Sequence, residues 1–229
     1  PTLSASGSGS LSGTTLSYGN NTSTSSRTTR VTASYGGSSN YCDITQSAGS
    51  KTYSNRGAWN ITLTANPTTI AAAGGNSTLS TSATRSRTWQ WNGTGTTYTE
   101  QDSGTPTLSK VSGAATLNSK TVSYGNNTST SSRSSVFRAT IDSATKDITI
   151  TQSAGSKVYG SWSIWSVYCN ASSFTVSASG GSVTIYSGAS RSRSWTWNGV
   201  SGSGGTESES GTPTLSASGS GSLSGTTLS

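Results

Sequence analysis

Two arginines and two tryptophans occupy alternate positions at Arg85, Arg87, Trp89 and Trp91, and the same four types recur at Arg191, Arg193, Trp195 and Trp197. Alternate residues of a β-strand project from one face. Each set therefore presents two guanidinium groups and two indole rings side by side. Facing solvent, the rings would stack on sugar rings while the arginines donate hydrogen bonds. Facing inward, a Trp would fill a small core and an Arg would lie over a neighbouring ring as a cation–π pair. The scarcity of Leu and Val favours the inward reading.

Other chemistry is thinly represented. There is no His, so the commonest general base is missing, and so is the commonest nitrogen ligand for a metal. The seven carboxylates, Asp43, Glu100, Asp102, Asp142, Asp147, Glu207 and Glu209, form no recurrent close pair of the glycosidase kind. Glu100 and Asp102 lie in a Gly- and Thr-rich stretch read as a loop, with Glu207 and Glu209 in the equivalent one. That recurrence admits a weak calcium site completed by backbone oxygens, but a solvated loop is the simpler reading. The sequence predicts no catalytic residue, no metal site and no cofactor, and the chain is not read as an enzyme.

The elements that carry these residues repeat. Pro1 to Ser17 and Pro213 to Ser229 are identical, and a divergent copy begins at Pro106. YGNNTSTSSR occurs at Tyr18 to Arg27 and Tyr124 to Arg133, ITQSAGSK at Ile44 to Lys51 and Ile150 to Lys157, and RSR-[TS]-W-[QT]-WNG at Arg85 to Gly93 and Arg191 to Gly199. A unit of about 106 residues thus alternates between two versions, and such a period means that each copy buries its core with the same pattern.

Apolar residues make up 28% and charged residues 9% of the chain, against roughly 45–50% and 25% in ordinary globular domains. Disorder would bring high net charge and few aromatics. Here seven Trp and nine Tyr recur among β-favouring residues, so a small ordered core per unit is expected. The net charge of +7 is dispersed without a basic run, which argues against nucleic-acid binding. No stretch has the length of a membrane span.

Alternation of period two places Trp59, Ile61 and Leu63 on one face, and Trp165, Val167 and Cys169 on the matching face of the next unit. Ile148 with Ile150, Phe137 with Ala139 and Ile141, and Val183 with Ile185 follow the same rule. Six to eight short strands per unit, separated by Gly-, Asn- and Ser-rich turns, predict an all-β chain of tandem immunoglobulin-like antiparallel β-sandwiches. The boundaries follow TQSAGSK: residues 1–50 are the C-terminal half of one domain, 51–156 a complete domain, and 157–229 the N-terminal part of a third.

DITITQSAG (Asp147 to Gly155), preceded by the Asn-rich NNTSTSSR, resembles the closing strands of BACON and related bacterial immunoglobulin-like domains. Gly74-Gly75 ahead of a strand, with a Trp after it, resembles their opening half. Such domains occur in surface proteins of gut Bacteroidota and in crAss-like and related phages. The resemblance implies a position on a cell surface, outside a cell or on a virion.

Cys42 and Cys169 align with Ile148 and Leu63 of the complete domain. With a superperiod of about 212 residues, Cys169 and the Cys42-equivalent of the next repeat would share one domain. A disulfide there would contribute ~3–5 kcal/mol in the chain-entropy picture. Two buried free thiols acting as small hydrophobes are the alternative.

The expected function is that of a non-catalytic structural and adhesive segment of a repeat-built extracellular or virion fibre. Its partners would be neighbouring repeats of the same chain, further copies in a homo-oligomeric fibre, and glycans or a host surface met through many weak contacts. The other expectation is a carbohydrate-binding accessory region of a secreted glycan-degrading enzyme, or a bacterial surface adhesin.

Overall fold

Apolar alternation broken by small polar turn residues leaves the chain no helical period, and the computed structural model, which describes residues 1–229, contains strands and no helix. The first fifty residues form β1 (Thr2–Gly7), β2 (Ser10–Ser12), β3 (Thr15–Ser17), β4 (Arg27–Tyr35) and β5 (Ser38–Gln46). Then come β6 (Lys51–Tyr53), β7 (Asn60–Asn66), β8 (Thr69–Ile70), β9 (Gly75–Trp91) and β10 (Tyr98–Gly104). They are followed by β11 (Thr107–Gly113), β12 (Thr116–Asn118), β13 (Thr121–Tyr124), β14 (Arg133–Ile141) and β15 (Ala144–Gln152). The last stretch contributes β16 (Lys157–Tyr159), β17 (Ser166–Ala171), β18 (Val183–Trp197), β19 (Gly205–Gly211), β20 (Leu223–Ser224) and β21 (Thr227–Leu228).

The sequence repeat reappears in the strands. β1 to β5 correspond to β11 to β15, and β16 to β19 correspond to β6, β7, β9 and β10. Two elements are not remade: Thr175 and Val176, equivalent to β8, and Thr214 to Ser218, equivalent to β11, are not in strands. In the complete copy β8 and β11 are the outer strands of a sheet ordered β11-β14-β15-β8. Residues 157–229 contain no counterpart of β14 and β15 for them to pair with.

Two compact units are present. One comprises Pro1–Leu63, Ser80–Leu108 and Ala139–Lys146. It holds the sheet β1-β4-β5, the hairpin β2–β3, and the later part of β9 between β10 and β6. Its buried apolar residues are Ile61, Leu63, Ala83 and Ala139. The second comprises Thr64–Leu79, Ser109–Arg138 and Asp147–Ser229. There β13 pairs with the start of β9, β8 runs parallel to β15, and β18 is flanked by β16, β17, β19 and β21. Its core holds Leu79, Val122, Phe137 and Ile150, all fully buried, with Ile70, Tyr124 and Val183 close to it in burial.

The core differs from the sequence expectation in two ways. No tryptophan is fully buried; small aliphatics and Phe137 fill the interior, because the indoles are engaged with basic side chains along strand faces. Trp165, Val167 and Cys169, predicted to face inward, are exposed, Val167 by 61%, whereas Ile61 at the same repeat position is exposed by 9%. The face is the predicted one, but residues 157–229 carry no β14–β15 pair to cover it.

Candidate functional site

β9 brings Arg85, Arg87, Trp89 and Trp91 onto one face, as their alternation predicts, and its neighbours supply a partner for each rung. Across the ladder to β10, Arg85 stands opposite Asp102, Arg87 opposite Glu100 and Trp89 opposite Tyr98. Arg85 Nε donates to Asp102 at 3.1 Å and Arg87 Nη2 to Glu100 at 2.9 Å, while Arg56 joins both carboxylates. Tyr98 stacks on Trp89 with ring centroids 4.5 Å apart, and Trp91 meets Trp89 edge-on at 5.7 Å. From the other side β6 sends the Lys51 ammonium over Trp89 at 4.1 Å and places Tyr53 under the Arg87 guanidinium at 3.8 Å. Arg85 lies 4.3 Å from the centre of Trp59, whose indole N–H donates to Asp142 at 2.7 Å.

The second set is built on the same plan. Arg191 pairs with Glu209 and Arg193 with Glu207 across β18–β19, and Lys157 lies 4.1 Å over Trp195. Arg193 covers Tyr159 at 3.9 Å and Trp162 at 4.5 Å, and Trp195 meets Trp197 edge-on at 5.9 Å. One rung differs: Gly205 stands where Tyr98 stands in the first set, and the Trp195 ring lies against it.

Both sets are therefore aromatic–cation ladders in which rings and charges are partnered within the fold. Every one of the eight residues is half-buried. Partly desolvated cation–π pairs of this kind contribute roughly 0.5–2 kcal/mol each. The stretches holding Glu100 with Asp102 and Glu207 with Glu209 are strands rather than loops. Their carboxylates serve the arginines, since opposite charges directly across a ladder favour strand pairing.

Two further ion pairs lie on the sheets. Arg30 binds Asp43 through two hydrogen bonds of 2.8 Å, and Arg138 binds Asp147 through bonds of 2.7 and 2.8 Å. The guanidinium hydrogen bonds hold both carboxyl groups below the usual carboxylate range. A carboxylate with a lowered folded-state pKa stabilises the fold above its unfolded value, about pH 4, and that contribution fades as pH falls through the lowered value. Denaturation midpoints followed from pH 5 to pH 2 are expected to fall less in the Asp43→Asn/Asp147→Asn variant than in the parent, with no difference in pH slope between about pH 5 and 8.

A third arrangement escaped the sequence reading. Asn92, in the left-handed region with φ 54, begins an Asn-Gly turn closed by Thr94 N–H donating to the Trp91 carbonyl at 3.0 Å. Its side chain reaches the preceding repeat. Asn92 Oδ1 accepts from Ser50 N–H at 2.8 Å, and Nδ2 donates to the Asn21 carbonyl at 3.1 Å and to Asn20 Oδ1. Asn198, with φ 55, does the same to Ser156 at 2.8 Å, to the Asn127 carbonyl at 2.9 Å and to Asn126 at 2.6 Å. The signal was present in the paired recurrence of GNN and WNG at one shift, but their meeting spans about 71 residues of chain and belongs to the fold.

Cys42 and Cys169 are both free and exposed. Among helices there is none to cross a membrane. Comparison with protein-family models, with curated proteins and with solved structures finds no match to this chain.

Proposed function

We propose that this chain is a non-catalytic structural and adhesive segment of a repeat-built fibre displayed outside a cell or on a virion, its unit an immunoglobulin-like sandwich over residues 51–156. The observation that carries this reading is the asparagine latch between successive repeats, made twice with the same donors and acceptors. A connection meant to flex would leave its polar groups to water. Here two side-chain amides span each junction, and β6 and β16, which follow the junctions directly, pair with β9 and β18. The aromatic–cation ladders then stiffen the strands that receive the load.

The latch has a direct test. Lys51 and Lys157 immediately follow the two junctions. Asn92→Gly and Asn198→Gly keep the left-handed turn while deleting the amide. Limited trypsin digestion read by mass spectrometry is expected to leave the parent uncut after Lys51 and Lys157, and to nick the double variant there about tenfold faster. Equal cleavage in both proteins would remove the fixed junction from the proposal.

The adhesive part rests on multivalency. Tetramers of the chain on a glycan array should exceed the monomer signal by about 10²-fold where any weak contact exists; equal signals leave a purely structural role. The carbohydrate-binding accessory reading is favoured by one feature, the exposed tyrosines Tyr168 and Tyr186 on the outward face of β17–β18, rather than by the internally partnered Arg–Trp sets.

A further inference from the structure

The two latch asparagines are also the two asparagines of this chain that are followed by glycine, at Asn92-Gly93 and Asn198-Gly199. In an Asn-Gly pair the carboxamide turns most readily on its own backbone, because a residue without Cβ leaves its amide nitrogen open to attack and free to rotate. The reaction closes a five-membered imide. The Gly93 nitrogen, its proton passed to water, bonds to Asn92 Cγ, the Cγ–Nδ2 bond breaks, and Nδ2 leaves as ammonia. Water then opens the imide at one of its two carbonyls, giving aspartate or isoaspartate. Amide and water become carboxylate and ammonium, with no oxidant or reductant involved.

A closed latch prevents that ring from forming. Asn92 and Gly93 have φ of 54° and 69°, and Asn198 and Gly199 have φ of 55° and 75°. Each pair is thus a two-residue turn with both central residues left-handed, closed from Thr94 N–H to the Trp91 carbonyl at 3.0 Å and from Val200 N–H to the Trp197 carbonyl at 2.9 Å. The first residue of such a turn has ψ of about +30°, which sets the following nitrogen nearly opposite Cβ across the Cα–C bond, out of reach of Cγ. Ring closure therefore requires the backbone to rotate. Rotation is blocked at both ends of the residue: Asn92 N–H donates to the Ser50 carbonyl at 2.7 Å while Asn92 Oδ1 accepts from Ser50 N–H at 2.8 Å. Asn198 makes the same two bonds to Ser156, both of 2.8 Å.

We infer that Asn92 and Asn198 are self-modifying sites gated by the junction: when a latch opens, its carboxamide is converted to a carboxylate, and the latch does not re-form. The product is wrong for every contact that Nδ2 made. A carboxylate oxygen replaces the donor that faced the Asn21 carbonyl and Asn20 Oδ1, so acceptor meets acceptor, and the same exchange occurs against Asn127 and Asn126. Isoaspartate also routes the main chain through Cβ and Cγ, which lengthens the turn by one atom and breaks its register. Asn92 and Ser50 are exposed, so water reaches the imide. The net charge of +7 falls by one with each event. The inference stands on the latch geometry and requires neither a fibre nor adhesion to any surface.

The test follows acid formation at each asparagine of the whole chain in mildly alkaline buffer, by peptide mass spectrometry with electron-transfer fragmentation to separate aspartate from isoaspartate. In the urea-unfolded parent Asn92 and Asn198 are expected to convert together, and in the folded parent about 10²-fold more slowly, since only the open fraction reacts. Asn20→Ala removes an exposed side chain that accepts from Asn92 Nδ2. It should speed conversion of Asn92 about fivefold, the effect of one hydrogen bond on the open fraction, and leave Asn198 and the strand residue Asn60 unchanged. Asn126→Ala should act on Asn198 in the same way and spare Asn92. Asn92→Asp supplies a product directly, and trypsin should nick it after Lys51 about fivefold faster than the parent, with cleavage after Lys157 unaltered. Equal conversion of Asn92 in folded and unfolded parent overturns the proposal. So do an Asn20→Ala variant that converts Asn92 no faster than the parent, a rise that includes Asn60 and so reports unfolding, and an Asn92→Asp variant nicked after Lys51 at the parent's rate.

Discussion

Phe137→Ala is expected to lower the stability of the second compact unit by about 3–5 kcal/mol, the range for removing a large aromatic side chain from a sealed core. Phe137 is fully buried, as are Leu79, Val122 and Ile150. With 28% apolar residues in the whole chain, few side chains are at hand to collapse into the vacated space. Since a domain commonly has only about 5–15 kcal/mol of net stability, the transition that includes Phe137 should move down by about 10 °C or more in a thermal melt followed by circular dichroism. Val31 holds the same repeat position in the first fifty residues and is half-buried. Val31→Ala is expected to cost about 1 kcal/mol, and equal losses at the two positions would contradict the burial pattern described above.

Gln152→Ala should be the second most damaging substitution, at about 3 kcal/mol. Its amide is shared among the carbonyls of Ala71, Ala72 and Gly125, and its oxygen accepts Arg133 Nε at 2.7 Å. Truncation to Ala deletes a wholly buried amide and leaves Arg133 Nε–H without its acceptor, which is costlier than losing the bonds alone, while the Ala71, Ala72 and Gly125 carbonyls keep donors from Gly74, Asn127 and Arg133. It also removes the side-chain tie between the end of β15 and the segment after β8, leaving the backbone bonds from Thr151 to Thr68 and from Ser153 to Ile70. Gln46→Ala removes the matching bonds to Arg27 and Gly19, but water reaches that site, and the expected loss is under about 1 kcal/mol. Denaturant midpoints of the two variants test the contrast.

The candidate site was half legible in the sequence. Arg85, Arg87, Trp89 and Trp91 could be placed on one face because strand alternation is a local property. Their partners could not be named: Lys51 and Tyr53 arrive from β6, more than thirty residues away in the chain. Composition alone predicts a loop for β10, because Gly, Ser, Thr and Glu rarely signal a strand. Its cross-strand partners Arg85 and Arg87, and the stacked pair Trp89–Tyr98, make it one. The asparagine latch was missed for a similar reason. Asn92 is recognisable as the first residue of an Asn-Gly turn, but that its amide would reach Asn20, Asn21 and Ser50 depends on how two repeats meet.

The sequence alone determined the all-β character, the repeat of about 106 residues and the face on which most apolar side chains lie. All of these follow from spacing along the chain. The tertiary structure decided which of those faces are covered. Gln46 and Gln152 sit in the same ITQSAGSK motif, as Leu63 and Cys169 sit on matching strands, and in each pair one residue is buried and the other is not. Burial is a property of what packs on a strand, and the strands that cover these faces come from distant parts of the chain.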